Sequence, residues 1–318
     1  MGVRTFSATL APDAALTRLD RLVADLWPEL SRKLARKVIE AGGCFVDGAR
    51  CHVPATQPRP GSRVRVCVDP DRPFVRFTLD PARVLFEDPH LLVVDKPSGV
   101  PVNLSATGQE GSLQRGVEDY LASHGLPGRP AVLHRLDTGT SGVVLFGKTP
   151  EAERRVYALF RERKVLKTYL AVVSPPPLNP AGTVRTLIAR RLDRLNQYAV
   201  RRERGKEALT RYRTLHADPG AGWALLAVSP ETGRPHQIRV HLAWIGCPIA
   251  GDRLYGGRED APFFGLHAFR VSLPHPRTGD PLVVRALPPA NWGAPPAGAA
   301  RGPLPAVTEA FLRSGGAW

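Results

Sequence analysis

The sequence predicts an α+β protein in which a small N-terminal unit precedes a larger domain. Segments with strand character outnumber segments with helical periodicity, and the helices fall between the strands at irregular intervals. A proline-containing stretch separates the small unit from the rest, and 318 residues suit one or two domains. A regular alternation of strand and helix around a parallel sheet is therefore not expected.

Residues 17–68 predict a module of two helices and a few short strands. Apolar residues recur at helical spacing between Leu19 and Leu30, and Ser31 is a typical N-cap for a second helix that a glycine pair ends at Gly42. A short apolar run, an Asp-Gly turn and the alternating segment Arg63–Val68 then predict a small antiparallel arrangement of strands.

The predicted second helix carries a contiguous basic face. Its members occupy positions i, i+1, i+4 and i+5, and they are Arg32, Lys33, Arg36 and Lys37. No acidic residue follows them until Glu40. Most charge runs of this kind are solvated helix faces, so the pattern by itself leaves that interpretation and RNA binding equally open.

Residues 69–83 contain three prolines and predict a linker, and a larger domain is expected over residues 84–288. Its strand-like segments are residues 84–86, 91–94, 143–146, 169–173 and 223–228. Its helical segments are residues 112–123, 152–164 and 236–244. Residues 289–318 begin with a stretch rich in proline, alanine and glycine and are expected to form a flexible tail.

The charge balance favours a polyanionic partner. Lys and Arg number 44 against 29 Asp and Glu, which gives a formal net charge of +15. Nucleic acid is the first candidate and an anionic membrane the second. No apolar run approaches the roughly 18 residues of a membrane span, and no secretory signal is recognised, so we expect a cytoplasmic protein. The four cysteines lack disulfide or zinc spacing, and no metal is expected.

Asp137 lies in a turn of small and hydroxylated residues between two apolar runs. Such a turn can hold a carboxylate at the floor of a pocket, although composition alone favours an ordinary Asx-turn. The next segment, Gly142–Thr149, satisfies the P-loop pattern G-x-x-x-x-G-K-[ST]. Its four central residues are Val-Val-Leu-Phe, which predict a strand instead of a phosphate-binding loop, so NTP hydrolysis is disfavoured.

Three further stretches could carry chemistry. Within Glu231–Leu242, Gln237 and His241 share a predicted helix face while Arg239 lies on another, and the histidine spacing argues against a metal site. Tyr169 opens an apolar strand, where most tyrosines are core residues. Residues 185–213 carry ten basic and three acidic side chains, which suits either phosphate contacts or a charged hairpin in water.

Several motifs occur in the order and spacing of one enzyme family. His134–Gly142 closely resembles the H-R-L-D-x-x-T-S-G signature of the RluA-type pseudouridine synthases. Other motifs of that family are resembled by Asp88–Gly99, Lys167–Ala171, Thr232–His241 and Gly251–Gly256. The one mild departure is Asn103–Thr107, where members often carry a histidine-containing stretch. The resemblance extends over roughly residues 84–288.

The resemblance implies the pseudouridine synthase fold, with a mixed, mainly antiparallel sheet. Residues 17–68 are similar to the ribosomal S-four-type RNA-binding domain that often precedes it. The implied reaction isomerises uridine to pseudouridine in RNA without cofactor or metal. Asp137 matches the catalytic aspartate, Arg239 the arginine that pairs with it, and Tyr169 the tyrosine that stacks near the base. Arg135 matches a position associated with RNA binding and base flipping.

RNA contacts are also expected from the basic helix face and from the arginine-rich segment. These residues are Arg32, Lys33, Arg36, Lys37, Arg201, Arg202 and Arg204. The favoured partner is large-subunit ribosomal RNA, with transfer RNA as the alternative within the family, and a monomer is expected. A protein that binds structured RNA without catalysis, and a P-loop nucleotidase, are the competing hypotheses from other functional classes.

Overall fold

The computed structural model describes residues 2–126, 128, 130–193, 197–218, 220, 222–258, 261–289 and 292. Contacts between residues divide the chain into two compact units. The first comprises Met1–Pro81 and Val100–Arg129, and the second comprises Ala82–Gly99 and Pro130–Trp318. Among the described residues, no helix has both the length and the apolar character that crossing a bilayer requires.

The first unit combines a four-stranded antiparallel sheet with three helices. Its elements are β1 (Arg4–Thr9), α1 (Leu19–Leu26), α2 (Arg32–Ala41), β2 (Cys44–Val46), β3 (Ala49–Cys51), β4 (Arg63–Val68) and α3 (Leu113–Ser123). The sheet order is β1-β4-β2-β3. The predicted N-cap is present, since the Leu34 N–H donates to Ser31 Oγ at 3.3 Å, and Gly42 ends α2 in the left-handed region with φ 88°.

The core of this unit follows the periodicity of the sequence. Helices α1 and α2 turn their apolar faces toward β4, where every second residue is apolar. The fully buried members are Leu19, Val23, Ala35, Ile39, Cys44, Val64 and Val66. Burying a side chain of valine or leucine size contributes about 1.5–3 kcal/mol, so this small cluster carries much of the unit's stability.

Two segments group differently from the sequence-based boundaries. Residues 69–81, assigned to a linker, and 100–129, assigned to the larger domain, belong to the first unit. The buried side chain of Gln109 connects them, because it accepts from the Asp69 N–H at 2.7 Å and donates to the carbonyls of Asp69 and Arg72 at 3.0 and 2.9 Å. A single polar side chain distant in sequence gives no periodic signal from which this connection could be predicted.

The second unit is built on a large mixed sheet. Its strands are β5 (Val84–Glu87), β6 (Leu91–Lys96), β7 (Ala131–Val132), β8 (Ser141–Gly147), β9 (Leu166–Val173), β10 (Ala181–Arg190), β11 (Tyr198–Arg201), β12 (Lys206–Asp218), β13 (Trp223–Pro230), β14 (Leu266–Pro274) and β15 (Pro281–Arg285). Its helices are α4 (Pro150–Arg161) and α5 (Gln237–Trp244). The main path is β11-β10-β12-β13-β9-β14-β8-β6-β5, with β15 paired to β14 and β7 to β8.

Among the described residues, every strand pair of this sheet is antiparallel except that of β8 with β14, which is parallel. The predicted α+β class with a mainly antiparallel sheet is therefore confirmed. The tail predicted for residues 289–318 lies outside the described residues except for Pro289 and Trp292. Trp292 is buried and stacks against Phe263 with ring centroids 5.7 Å apart.

The segment that matches the P-loop pattern is a strand, as its composition predicts. Gly142 to Gly147 lie within β8, and a Cβ at Gly142 (φ 109°) would meet the Ala268 carbonyl oxygen at 2.3 Å. Lys148 pairs with Glu87 at 2.8 Å. The glycine therefore serves the close approach of β8 and β14 and does not form a phosphate-binding loop.

Candidate active site

Asp137 lies in the segment between β7 and β8 and is half-buried. The turn closes on itself, because the Thr140 N–H donates to the Asp137 carbonyl at 3.0 Å. The neighbouring Thr138 carbonyl accepts from the Gly99 N–H at 2.9 Å. These contacts fix the backbone of Asp137 and of the residue that follows it, which is how a loop residue acquires a defined position.

Lys96, at the end of β6, supports the same turn from inside the protein. Its side chain is fully buried, and Nζ donates to the carbonyls of Thr138 and Pro97 at 3.1 and 3.0 Å. Burial lowers the pKa of Lys96 to about 7, although the charges of Asp137 and Asp95 act in the opposite direction. An amine with a pKa near 7 can lose its proton, so it can remain buried where a permanent cation would be costly.

Arg239, on α5, joins two carboxylates. Nη1 donates to Asp137 Oδ2 at 3.0 Å, while Nε and Nη2 donate to the two oxygens of Asp252 at 2.8 and 2.9 Å. Burial opposes its charge, but the hydrogen bonds and charges of both carboxylates outweigh burial and raise the pKa of Arg239. The guanidinium also lies over Tyr255 and Phe264, with Cζ 4.9 and 5.3 Å from the ring centroids.

The start of α5 is fixed by the side chain of Gln237. Its carbonyl accepts from Thr232 Oγ1 at 2.7 Å and from the Arg234 N–H at 3.0 Å. Its amide donates to the Leu209 carbonyl and to Thr210 Oγ1, both at 2.9 Å. A buried side-chain amide with four partners on two segments holds the first turn of α5, and hence Arg239, in place.

His241 lies one helical turn further along α5, on the same face as Gln237, as the spacing predicts. Its ring nitrogens contact Thr210 Oγ1 and Thr186 Oγ1, both at 2.9 Å. Burial lowers the pKa of His241 to about 4. This histidine therefore connects α5 to β10 and β12, and its contacts are those of a structural residue and not of a metal ligand.

Tyr169 lies in β9 and is buried in the middle of the sheet. Its cross-strand partners are Val228 in β13 and Ala268 in β14. Burial raises the pKa of Tyr169, and the charge of Asp137 raises it further. The phenol therefore stays protonated and lies close enough to Asp137 to sense its carboxylate, so the structure brings together the three residues predicted as catalytic.

His236 faces Asp137 from the residue before α5. Its Nε2 lies 3.9 Å from Asp137 Oδ2, and its Nδ1 lies 2.8 Å from the hydroxyl of Tyr255. Its backbone is in the left-handed region at φ 54°. Burial lowers the pKa of His236, with the charges of Arg239 and Arg135 in the same direction and those of Asp137 and Asp252 opposed.

These groups surround an open cavity of about 410 Å³. Asp137, His236, Arg239 and Asp252 contribute to its wall, and the exposed Arg135 lies at its edge. Sequence reasoning did not single out His236, Asp252 or Lys96. Each lies inside a recognised motif, so a motif position combined with an ionisable side chain was the signal that could have identified them.

The other predicted RNA-binding residues lie on two exposed surfaces. In the first unit, all four members of the α2 basic face are exposed; Arg36 pairs with Glu40 at 2.9 Å and Arg32 with Asp20 at 3.5 Å. In the second unit, Arg201, Arg202 and Arg204 are exposed at the turn between β11 and β12. The structure therefore presents each predicted residue to solvent, as phosphate contacts require.

Comparison with known proteins identifies the family. A family model described as RNA pseudouridylate synthase matches residues 90–244. An Aquifex aeolicus protein, named as an uncharacterized RNA pseudouridine synthase, is 35% identical over 280 residues, which covers 84% of this chain and 88% of the relative. The chain belongs to the RluA-type RNA pseudouridine synthase family.

Other RNA pseudouridine synthases agree with this assignment. The ribosomal large subunit pseudouridine synthase D of Haemophilus influenzae is 31% identical over 293 residues, covering 87% of this chain and 89% of the relative. The solved structure of human RNA pseudouridylate synthase domain containing 4 has a TM-score of 0.55 at 26% identity and covers 66% of this chain and 89% of the human one. The family, the fold and the enzyme class predicted from the motifs are confirmed.

Proposed function

We propose that this pseudouridine synthase acts on uridines of large-subunit ribosomal RNA and that Asp137 is its catalytic carboxylate, working without a cofactor. The observation that carries the proposal is the contact between Asp137 Oδ2 and Arg239 Nη1, at 3.0 Å, on the wall of an open cavity. The choice of RNA is supported by the relatives named ribosomal large subunit pseudouridine synthase D, among them the Haemophilus influenzae protein. A cytoplasmic location belongs to the same proposal.

The reaction requires a carboxylate next to the sugar. Cleavage of the bond between C1′ and N1 leaves positive charge at the ribose while the base departs with the bonding electrons. Asp137 can attack C1′, or it can take a proton from the sugar so that a glycal forms. In either route the base rotates within the cavity and C5 bonds to C1′, which releases Asp137 from the ester or returns a proton to the glycal. C5 then loses its proton and N1 gains one, so that the product is an isomer of uridine.

Arg239 keeps Asp137 ionised and oriented for this role. A guanidinium at hydrogen-bond distance favours the ionised carboxylate and fixes its rotamer. Asp252 accepts from Nε and Nη2 of the guanidinium, and Asp137 accepts from the remaining nitrogen, Nη1. The hydrogen bond from Arg239 is to Oδ2 of Asp137. We therefore assign the approach to the ribose to Oδ1, the other carboxylate oxygen.

Tyr169 and Arg135 act on the base in this proposal. Tyr169 offers the target uracil a flat face beside Asp137 and a neutral hydroxyl near C5. Arg135 is exposed at the edge of the cavity, where a guanidinium can replace a nucleotide that has left its stack. Turning a base out of folded RNA costs a few kcal/mol, and phosphate contacts to the basic surfaces offset that cost.

The first unit contributes binding energy in this account. We propose that residues 17–68 are the S-four-type module predicted from the sequence and that the basic face of α2 contacts the phosphate backbone. The exposed arginines at the turn between β11 and β12 provide a second set of contacts from the catalytic unit. Several such contacts make affinity strongly dependent on salt.

Pseudouridine mapping in cells tests the target. Total RNA from a strain that lacks this protein and from the same strain complemented with the wild type is treated with carbodiimide and read by primer extension. We expect one or more large-subunit ribosomal sites to lose pseudouridine and to regain it on complementation. Sites in transfer RNA alone would replace the proposed target, and loss of no site would favour a non-catalytic RNA-binding protein.

A further inference from the structure

The ring of His236 is held in one tautomer by its neighbours. The hydroxyl oxygen of Tyr255 accepts the backbone N–H of Tyr198 at 3.0 Å and lies 2.8 Å from His236 Nδ1. The backbone N–H already occupies one acceptor position of this oxygen, so we assign the phenolic proton to the contact with Nδ1, which makes Nδ1 the acceptor. The ring proton of the neutral imidazole is therefore on Nε2.

Nε2 is the ring nitrogen near the proposed catalytic carboxylate. Nε2 lies 3.9 Å from Asp137 Oδ2, beyond hydrogen-bond distance, and His236 lines the cavity that contains Asp137. The rings of Tyr198 and Tyr255 meet the imidazole edge-on, at centroid distances of 5.4 and 5.7 Å, and limit its rotation. Because burial and two nearby guanidinium groups lower the pKa of His236, the imidazole is neutral at pH 7.

We propose that His236 is a catalytic residue whose Nε2–H donates a hydrogen bond to a carbonyl oxygen of the departing uracil. This role rests on the proposed function. When the bond between C1′ and N1 breaks, its electron pair remains on the base, and the negative charge spreads from N1 onto O2. A fixed donor at that oxygen stabilises the charge as it develops, which is the principle of an oxyanion hole. His236 keeps its own proton throughout.

The symmetry of uracil suits a single fixed donor. A half-turn about the line through N3 and C6 exchanges N1 with C5, and it also exchanges O2 with O4. The donor that binds O2 before rotation therefore meets O4 afterwards, in the same place. His236 can thus hold the base in both orientations without moving, while Asp137 remains at C1′.

Leaving-group chemistry tests this role. Fluorine at C5 withdraws electrons and stabilises the uracil anion, so a base that carries it depends less on an external donor. Single-turnover rates are measured on a target transcript with uridine or 5-fluorouridine at the modified position. We expect His236→Ala to slow consumption of uridine by about 100-fold and consumption of 5-fluorouridine by about 10-fold or less, with RNA affinity changed less than about 3-fold. Equal losses of rate on uridine and on 5-fluorouridine would overturn the role of His236.

Two further variants separate the donor from the fold. His236→Gln supplies an amide N–H in place of the imidazole and is expected to recover about 10-fold of the loss on uridine. Tyr255→Phe removes the hydroxyl that fixes the tautomer and is expected to slow uridine conversion by about 5-fold or more. A glutamine variant no faster than His236→Ala, or a phenylalanine variant at the wild-type rate, would contradict the assignment.

The wild type and a matched histidine variant serve as references. His124 is exposed in the first unit, and His124→Ala should retain the wild-type rate. If the wild-type protein converts no uridine, the proposed function fails and His236 has no reaction to assist. If the wild type is active and His236→Ala lowers the rates on the two substrates by the same factor, the proposed role of His236 is rejected and the proposed function stands.

Discussion

Arg239 is the residue on which the geometry of the site depends most directly. Its guanidinium donates two hydrogen bonds to Asp252 and one to Asp137. Asp252 is 1% exposed, and its charge balances an arginine that is itself buried. Removing one member of a buried charged pair leaves the other without compensation, which is strongly destabilising.

We expect Asp252→Asn to lower the free energy of unfolding by about 3 kcal/mol, because the Arg239 charge then lacks its main buried counter-ion. Urea unfolding followed by circular dichroism measures this. The matched control is Glu40→Gln, which removes a carboxylate from an exposed i,i+4 pair and should change stability by less than about 0.5 kcal/mol. Equal effects of the two substitutions would show that Asp252 does not compensate Arg239.

Sequence motifs predicted which residues meet but not how they are held. Asp137 and Arg239 are far apart in the chain, and only the resemblance to a known family paired them before the structure brought them to 3.0 Å. The hydroxyl of Tyr255 that contacts His236 also accepts the backbone N–H of Tyr198, which lies in β11, far from α5 in the chain. No local pattern encodes such a contact, because it exists only once the sheet has formed.

At the scale of elements, α2 and the turn between β11 and β12 carry the predicted RNA contacts. On α2 the four bases differ: Arg32 and Arg36 have acidic partners, whereas Lys33 and Lys37 are exposed on the same face. A lysine that is not paired with a carboxylate exchanges its counter-ions for phosphate at little cost. The two lysines should therefore contribute more to phosphate binding than the two arginines.

We expect Lys33→Gln with Lys37→Gln to weaken RNA binding and to reduce the slope of log affinity against log salt by about 1.5, because two phosphate contacts are lost. Filter binding at several salt concentrations measures both quantities. The control replaces Arg154 and Arg155, exposed on α4, with glutamine and removes the same charge. An equal change in slope for both pairs would show that only net charge matters.

The strands differ in how well the sequence predicts them. Apolar runs such as those of β6, β8 and β9 were predicted because both faces of these strands are buried. The segment that forms β10 and β12 was considered only for its charge, since arginines alternate with the apolar residues that face the core. Its pairing, Ala181 opposite Arg213 through Ile188 opposite Lys206, places the charged segment on two adjacent strands.

At the scale of the whole molecule, buried neutral histidines connect stability to pH. His241 and His267 are fully buried, and burial lowers the pKa of each to about 4, below the ordinary value of 6.5. Between pH 6.5 and 4 the unfolded chain therefore binds protons that the folded protein does not bind. Stability from these groups is complete above pH 6.5 and is lost as the pH falls toward 4.

As the pH falls from 6.5 to 5, we expect each of these histidines to lower the free energy of unfolding by about 2 kcal/mol. His267 accepts from Ser141 Oγ at 2.8 Å and donates to the Ala286 carbonyl at 3.0 Å, so glutamine at this position can keep the second contact without titrating. Urea unfolding at the two pH values should show a smaller acid loss for His267→Gln than for the wild type. The same loss in both proteins would contradict this linkage.

The most direct test of the account is the single-turnover rate of pseudouridine formation by Asp137→Asn on an RNA that the wild type modifies. The amide matches the carboxylate in shape and removes its charge, so the variant should fold and bind the transcript with near wild-type affinity. We predict a rate at least about 1,000-fold below that of the wild type. Formation of pseudouridine at the wild-type rate by the folded, RNA-bound variant would contradict the assignment of Asp137 as the catalytic carboxylate.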